Sequence, residues 1–195
     1  MLRILLADDH TIVRRGLREI LQSHGRFEVV GEAVDGDDAL RQGLATRPDI
    51  VVMDIGMPGL NGIETTSVLK AALPQSKILV LTMHEHLDVI ADAFDAGAFG
   101  YMIKTESDAE MIRGLRAISR GYMFFSSRVA TVIGDAFRHH LEFDLQDEAL
   151  CRELDFLESS CQATFTGGEG LPSVEIFNGY CLAILTRVKS CLVHR

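Results

Sequence analysis

The sequence of 195 residues lacks long apolar runs and has few basic residues, and each absence excludes a class of protein. No apolar run approaches the roughly 18 to 20 residues of a membrane-spanning helix, and Asp8 and Asp9 follow the first apolar segment too early for a signal-peptide core. With 19 Lys and Arg against 28 Asp and Glu, a broad nucleic-acid-binding surface is excluded, because phosphate contacts require clustered positive charge. We expect a cytoplasmic protein without a membrane segment, in which any DNA contact is local.

Cysteine is also missing from the first 150 residues. The four cysteines are Cys151, Cys161, Cys181 and Cys191. Their spacing includes no C-x-x-C pair, which disfavours a zinc site, and a cytosolic chain keeps its cysteines reduced. We predict that all four are free structural thiols.

The first 124 residues contain short apolar strands that alternate with amphipathic helices. The predicted strands are Leu2 to Ala7, Phe27 to Gly31, Ile50 to Met53, Ile78 to Thr82 and Gly100 to Ile103. The predicted helices are Thr11 to Ser23, Gly36 to Thr46, Gly62 to Leu73, Leu87 to Ala96 and Asp108 to Ser119. Because such alternation implies right-handed crossovers, we predict an α/β fold with a doubly wound, five-stranded parallel sheet.

The pattern changes after residue 124. Residues 125–144 are predicted to be a linker with some helix, because the segment from Arg128 to Arg138 is periodic. In residues 145–195 the alternation stops, and a glycine-rich stretch at 167–170 interrupts any pattern. This region contains four basic and seven acidic residues. We expect a second, small, α-helical region there.

Polar residues stand where four of the five predicted strands end. Asp8 and Asp9 follow the first strand and Asp54 follows the third. Thr82 ends the fourth strand and Lys104 follows the fifth. Ligands of an open parallel sheet bind beyond the carboxyl ends of its strands, so these side chains should lie together. Crowded carboxylates repel one another and favour a cation, and oxygen ligands suit Mg²⁺, so the site predicts phosphate chemistry.

The position of each acidic residue suggests its role. Asp54, at the end of the central strand, can act as a nucleophile and become an aspartyl-phosphate. Asp8 and Asp9 would hold the metal, which neutralises charge during phosphoryl transfer. In the turn that follows Asp54, Pro58 fixes the backbone, and such a loop can bring the carbonyl of Gly56 toward the metal.

Lys104 and Thr82 would complete the site with an ammonium group and a hydroxyl donor for the phosphoryl oxygens. Each residue also has an ordinary explanation, since Lys104 could be a solvated charge, Thr82 a strand-end residue and Asp9 a helix cap. The functional interpretation is favoured because four strand ends carry the required chemical types at once.

With these residues and the motifs around them, residues 1 to about 124 resemble a bacterial response-regulator receiver domain of the NarL/FixJ type. The matching stretches are L-A-D-D-H at 6–10, R-R-G-L at 14–17, V-G-E-A at 30–33, D-I-G-M-P-G-L-N-G at 54–62, L-V-L-T-M at 79–83, and A-G-A at 96–98 leading through Tyr101 to Lys104.

This resemblance implies a flavodoxin-like receiver fold and a phosphoryl transfer from a sensor histidine kinase to Asp54, with Mg²⁺ bound by Asp8 and Asp9. It further implies that Thr82 moves toward the phosphoryl group and that Tyr101 turns inward. A second copy of the chain is an expected partner after phosphorylation.

The C-terminal region resembles a LuxR-type helix-turn-helix in fragments, which are R-E-L-D-F-L at 152–157, E-G at 169–170 with E-I at 175–176, and T-R-V-K-S at 186–190. Arg187 and Lys189 are the candidate DNA contacts. The spacing before Glu169 is longer than in that family, and Cys191 stands where His is usual. The region could be an altered DNA-binding domain, a different output module or a frameshifted tail, and we favour a divergent helix-turn-helix.

Two functions from different classes remain open. The first is a two-component transcription regulator in which phosphorylated Asp54 promotes dimerisation and DNA binding. The second is a receiver that acts through protein contact, or as a phosphate sink, without binding DNA. A haloacid-dehalogenase-like phosphatase also uses an aspartate nucleophile, but Gly56 stands where such an enzyme has its second aspartate. We therefore expect a regulator and not an enzyme.

Overall fold

In the computed structural model, which describes residues 1–141, 177–179 and 181–186, strands and helices alternate along the chain. The strands are β1 (Leu2–Ala7), β2 (Phe27–Ala33), β3 (Ile50–Met53), β4 (Lys77–Thr82), β5 (Gly100–Ile103) and β6 (Phe124–Phe125). The helices are α1 (Thr11–Ser23), α2 (Gly36–Thr46), α3 (Gly62–Ala72), α4 (Leu87–Asp95), α5 (Asp108–Ser119) and α6 (Ser127–Leu141). Residues 177–179 and 181–186 are also helical.

The strands form one parallel sheet in the order β2-β1-β3-β4-β5-β6. The chain moves outward from β1 to β2 and then crosses back to place β3 on the other side of β1. The strand order therefore reverses between β1 and β3, and ligands of open parallel sheets bind at the carboxyl ends of the strands beside such a reversal. The predicted doubly wound fold is confirmed.

Alternate residues of the central strands enter two separate cores, as the two-residue period of a strand requires. Ile4 and Leu6 of β1 pack with residues of α1 and α5 on one face. Leu5 and Ala7 pack with residues of α2 and α3 on the other face. Because helices cover both faces, the central strands are near-continuous apolar runs without a polar side.

The predicted elements differ from the observed ones at few positions. Strand β2 extends to Ala33 instead of ending at Gly31, and β4 begins at Lys77, one residue earlier than predicted. Helices α3 and α4 each end one residue earlier than predicted, at Ala72 and Asp95. The sheet has a sixth strand, Phe124–Phe125, where five strands were predicted. This strand was missed because two residues are too few to show an alternating pattern.

Helix α6 lies within residues 125–144, for which the sequence predicts a linker with some helix. Its Val129 and Ile133 are buried in a hydrophobic core together with Ile90 of α4 and Tyr101 of β5. The first turns of α6 are therefore packed on the α/β domain.

The helical residues near the C-terminus pack against the same core. Phe177 and Cys181 are fully buried there, and Ile184 and Leu185 accompany them. The ring of Phe177 meets that of Tyr122 edge to face, with 5.7 Å between the ring centroids. This segment therefore extends the hydrophobic core of the α/β domain.

Asn178 fixes the segment by two hydrogen bonds to one turn of the backbone. Its Oδ1 accepts from the N–H of Met123 at 2.8 Å, and its Nδ2 donates to the carbonyl of Gly121 at 2.8 Å. One amide side chain thus satisfies a donor and an acceptor in the turn between α5 and β6.

Only part of the C-terminal prediction falls on described residues. Cys181 is buried and is not part of a disulfide, as predicted. The predictions for the other cysteines, for the glycine-rich stretch and for most of the helix-turn-helix lie outside the described residues. Among the helices that the structure describes, none is long and apolar enough to cross a membrane.

Candidate functional site

The polar residues predicted to form a site lie at the carboxyl edge of the sheet. In the strand order β1, β3, β4 and β5 they are Asp8, Asp54, Thr82 and Lys104. Backbone hydrogen bonds continue the ladder past the strand ends, since Asp54 N–H donates to Ala7 O and Lys104 N–H donates to Thr82 O, both at 2.8 Å. The backbone of the sheet therefore fixes the positions from which these side chains extend.

Lys104 joins two of the carboxylates. Its Nζ lies 2.6 Å from Asp8 Oδ2 and 2.6 Å from Asp54 Oδ2. Burial lowers the pKa of Lys104, but hydrogen bonds to Asp54 and Asp8 outweigh this effect and raise the pKa above its usual value. Asp8 is 2% exposed and Asp54 5% exposed, so their charges require a compensating partner. The protonated Lys104 supplies that charge.

Asp8, Asp9, His10 and Asp54 each offer one possible metal ligand, and these atoms lie within 4.8 Å of one another. Within the cluster, His10 Nδ1 lies 2.7 Å from Asp9 Oδ1. Three carboxylates around one point are the donor set of a hard cation such as Mg²⁺, and this set does not require the imidazole. The cluster could therefore hold a metal ion through its carboxylate oxygens.

Gly56 lies beside the carboxylate of Asp54. Its N–H donates to Asp54 Oδ1 at 3.2 Å, so the turn after β3 folds back onto this side chain. A carbonyl contact from Gly56 to a metal stays a prediction.

The start of α3 requires glycine at position 62. A Cβ atom on Gly62 would lie 2.0 Å from the backbone oxygen of Asp54, so α3 can approach the end of β3 this closely only without a side chain. The preceding residue, Asn61, caps the helix by accepting from the N–H groups of Ile63 and Glu64. The D-I-G-M-P-G-L-N-G motif thus holds the loop that carries Asp54 against α3.

Thr82 and Tyr101 both contact the backbone of His84. Thr82 Oγ1 accepts from the N–H of His84 at 3.3 Å, and the hydroxyl of Tyr101 donates to the carbonyl of His84 at 2.9 Å. Both side chains are buried, and burial raises the pKa of Tyr101, with further contributions from the charges of Asp88 and Asp54. The ring of Tyr101 thus lies inside the core in this structure.

Sequence reasoning missed Arg14 of α1, which is 7% exposed and donates to the backbone oxygen of Asp8 at 2.6 Å. The signal was present in the helical period, because Arg14 stands three residues before Leu17 and seven before Leu21 on the buried face of α1. The candidate DNA contacts Arg187 and Lys189 lie outside the described residues.

Comparison with known proteins gives one consistent family. The family model for the response regulator receiver domain matches residues 4–116. The transcriptional regulatory protein LiaR of Bacillus subtilis is 39% identical over 158 residues, which are 80% of this chain and 75% of LiaR. The response regulator UvrY of Escherichia coli O6:H1 is 37% identical over 130 residues, which are 67% of this chain and 60% of UvrY.

Solved structures give the same result. A two-component response regulator of the LuxR family from Aurantimonas superposes with a TM-score of 0.67 at 39% identity, covering 69% of this chain and 96% of that one. The isolated REC domain of RcsB from Salmonella enterica superposes with a TM-score of 0.63 at 26% identity, covering 67% of this chain and 97% of that one.

Proposed function

Because this chain belongs to the response regulator family, we propose that it receives a phosphoryl group on Asp54 from a sensor histidine kinase and regulates transcription in response. The observation that carries the proposal is the position of Asp54 at the reversal of strand order. There its carboxylate meets Lys104 Nζ at 2.6 Å and lies within the cluster of Asp8 and Asp9.

The proposed reaction is a transfer between two side chains. A carboxylate oxygen of Asp54 attacks the phosphorus of a phosphohistidine and a P–O bond forms. The P–N bond breaks with its electron pair going to the imidazole nitrogen, which takes up a proton from solvent. Lys104, whose pKa is raised by its hydrogen bonds to Asp54 and Asp8, pairs as a cation with the oxygens of the transferred group. Asp54 is thereby converted to an acyl phosphate.

Asp8, Asp9 and Asp54 would hold Mg²⁺, with the backbone carbonyl of Gly56 as a further proposed ligand. When bound, the ion would neutralise negative charge on the phosphoryl oxygens. The chain itself contributes carboxylate oxygens that lie within 4.8 Å of one another.

Thr82 and Tyr101 would report the phosphorylation through His84. A phosphoryl group on Asp54 offers oxygens to the hydroxyl of Thr82, which would then withdraw from the N–H of His84. Tyr101 holds the carbonyl of the same residue, so a shift of the loop after β4 changes the contacts of both side chains. We propose that phosphorylation shifts the population between two arrangements of this loop.

The phospho-acceptor assignment can be tested by incubating the full chain with Mg²⁺ and acetyl phosphate and measuring the intact mass. We expect the mass of one phosphoryl group to be added in the wild-type protein and not in Asp54→Asn. Asp37→Asn, at the start of α2, is the matched control and should be labelled like the wild type. Labelling of Asp54→Asn would show that another residue is the acceptor.

We propose that residues 1–124 form the phospho-acceptor unit and that residues 145–195 form an output region reached through 125–144. Arg187 and Lys189 would contact DNA, and phosphorylation would promote a homodimer. Selection from a pool of random double-stranded DNA, with and without acetyl phosphate, tests this. Enrichment that falls with salt and depends on Lys189 supports a transcription regulator.

The second candidate is a receiver that acts through protein contact or as a phosphate sink. It is favoured by one observation, namely that Phe177, Cys181 and Ile184 are buried against the α/β domain and so are not free to build a separate core. Failure to enrich any DNA sequence, with phosphorylation of Asp54 intact, would favour this function.

A further inference from the structure

Arg14 is a charged residue buried beside the candidate metal site. One terminal nitrogen of its guanidinium group donates to the backbone oxygen of Asp8 at 2.6 Å, and the other donates to Thr11 Oγ1 at 3.4 Å. Its Nε lies 3.4 Å from Oε2 of Glu32. Each of its three nitrogens therefore faces an oxygen from a different residue.

Glu32 of β2 supplies the charge that a buried guanidinium requires. Its second carboxylate oxygen, Oε1, contacts Arg18, one turn farther along α1. Arg14 is nine-tenths buried, whereas Arg18 is about 40% exposed and has no contact with Asp8 or Asp9 among those the structure describes. Both arginines thus contact Glu32, but only Arg14 also donates to the backbone of Asp8 among the contacts that the structure describes.

The bond to Asp8 acts on both acidic residues, because the carbonyl of Asp8 belongs to the peptide group that joins Asp8 to Asp9. The other end of Asp8 is held by its own N–H, which donates to Ala33 O at 3.1 Å. With its backbone fixed on both sides, Asp8 directs its carboxylate toward Lys104. The same peptide plane determines where the side chain of Asp9 begins.

We propose that Arg14 is a positioning residue for the metal site, acting by fixing the peptide group between Asp8 and Asp9. This inference rests on the proposed function, in which these carboxylates bind Mg²⁺. Residues that hydrogen-bond to metal ligands fix the ligand orientation, and their loss commonly weakens metal binding about 10- to 100-fold. Arg14 does so through the main chain and does not itself contact the carboxylate oxygens.

The test is a calorimetric titration of the full chain with MgCl₂, comparing wild type, Arg14→Gln, Arg14→Lys and Arg18→Gln. We expect Arg14→Gln to raise the Mg²⁺ Kd about tenfold or more. Arg14→Lys should also raise it, because one ammonium group cannot span Asp8 O and Glu32 together. Arg18→Gln removes a charge from the same Glu32 and should leave the Kd close to the wild-type value.

A second readout separates positioning from general stability. In acetyl phosphate labelling, Arg14→Gln should raise the Mg²⁺ concentration for half-maximal rate more than it lowers the rate at saturating Mg²⁺. If Arg14→Gln lowers the melting temperature but has the same Mg²⁺ Kd as Arg18→Gln, the inference is wrong. If Arg14→Gln does not fold, the Mg²⁺ Kd of Arg14→Lys is compared with that of Arg18→Gln, and equal values again show that the inference is wrong. Wild-type protein that binds no Mg²⁺ would instead overturn the proposed metal site itself.

Discussion

The hydroxyl of Tyr101 donates a 2.9 Å hydrogen bond to the backbone oxygen of His84. This bond connects β5 to the loop that follows β4. Thr82 holds the N–H of His84, so a single residue of the loop is fastened by two side chains that flank the site. Thr82 and Tyr101 therefore hold the loop after β4 at one residue.

Tyr101→Phe is expected to lower the free energy of unfolding by about 0.5 to 1.5 kcal/mol, because one hydrogen bond is lost while the ring stays in the core. Tyr101→Ala also empties the space of the ring and should cost about 3 to 5 kcal/mol. Urea denaturation measures both. Equal losses in the two variants would mean that the hydroxyl, and not the packed ring, carries the contribution of Tyr101.

Stability should fall at alkaline pH because of the same residue. Burial, together with the charges of Asp88 and Asp54, raises the pKa of Tyr101 in the folded state. An unfolded tyrosine loses its proton near pH 10, so above that value the unfolded chain binds fewer protons than the folded one and stability declines as pH rises. Melting temperatures measured across this range should fall less steeply in Tyr101→Phe than in the wild type.

Lys104→Met should destabilise the protein by about 3 kcal/mol, because it leaves the buried carboxylates of Asp8 and Asp54 without their shared cation. Mg²⁺ should restore part of the loss if the ion binds the same carboxylates. Denaturation with and without MgCl₂ measures both effects. A variant as stable as the wild type, with no response to Mg²⁺, would contradict the compensating role of Lys104.

Gly62→Ala and Gly16→Ala should change stability in opposite directions. A Cβ on Gly62 would lie 2.0 Å from Asp54 O and 2.8 Å from Ile55 Cα, so α3 must move away from β3 at a cost of about 1 to 3 kcal/mol or more. A Cβ on Gly16 in α1 meets nothing within 4 Å, and alanine there should add up to about 1 kcal/mol. Thermal denaturation of both variants provides the comparison.

Asn178 should control the access of reagents to Cys181, which is fully buried. Asn178→Ala removes the hydrogen bonds to Gly121 and Met123, and we expect a thiol reagent to modify Cys181 faster in this variant. Asn178→Asp keeps the acceptor for Met123 and loses the donor to Gly121, so its rate should lie between those of the wild type and Asn178→Ala. Mass spectrometry of peptides distinguishes Cys181 from the other cysteines. Equal rates in all three proteins would show that Asn178 does not hold the segment.

Much of the fold and of the site follows from local sequence. The apolar runs predict the central strands because helices on both faces leave no polar side, and the residue types after those runs indicate the position of Asp54 and its neighbours. The approach of Asp8, Asp54 and Lys104 to one another then follows from the parallel ladder, which places strand ends at one edge.

The features that sequence reasoning missed depend on contacts between distant residues. Arg14 has the sequence signature of a buried position on α1, but its charge is tolerated there because Glu32 arrives from β2. The two-residue strand β6 carries no period of its own and exists because β5 offers it a partner. Phe177 is buried because its segment packs against the α/β domain, and no local sequence pattern predicts this contact.

The sequence separation between Asn178 and its hydrogen-bond partners has a consequence for folding during synthesis. Its partners Met123 and Gly121 precede it by 55 and 57 residues. The ribosome therefore completes the residues of the sheet and its helices well before it reaches Asn178. Because domains emerge and fold from the N-terminus onward, the nascent chain first exposes the apolar surface that residues 177–179 and 181–186 later cover. During translation, this surface would be the one on which a chaperone could bind.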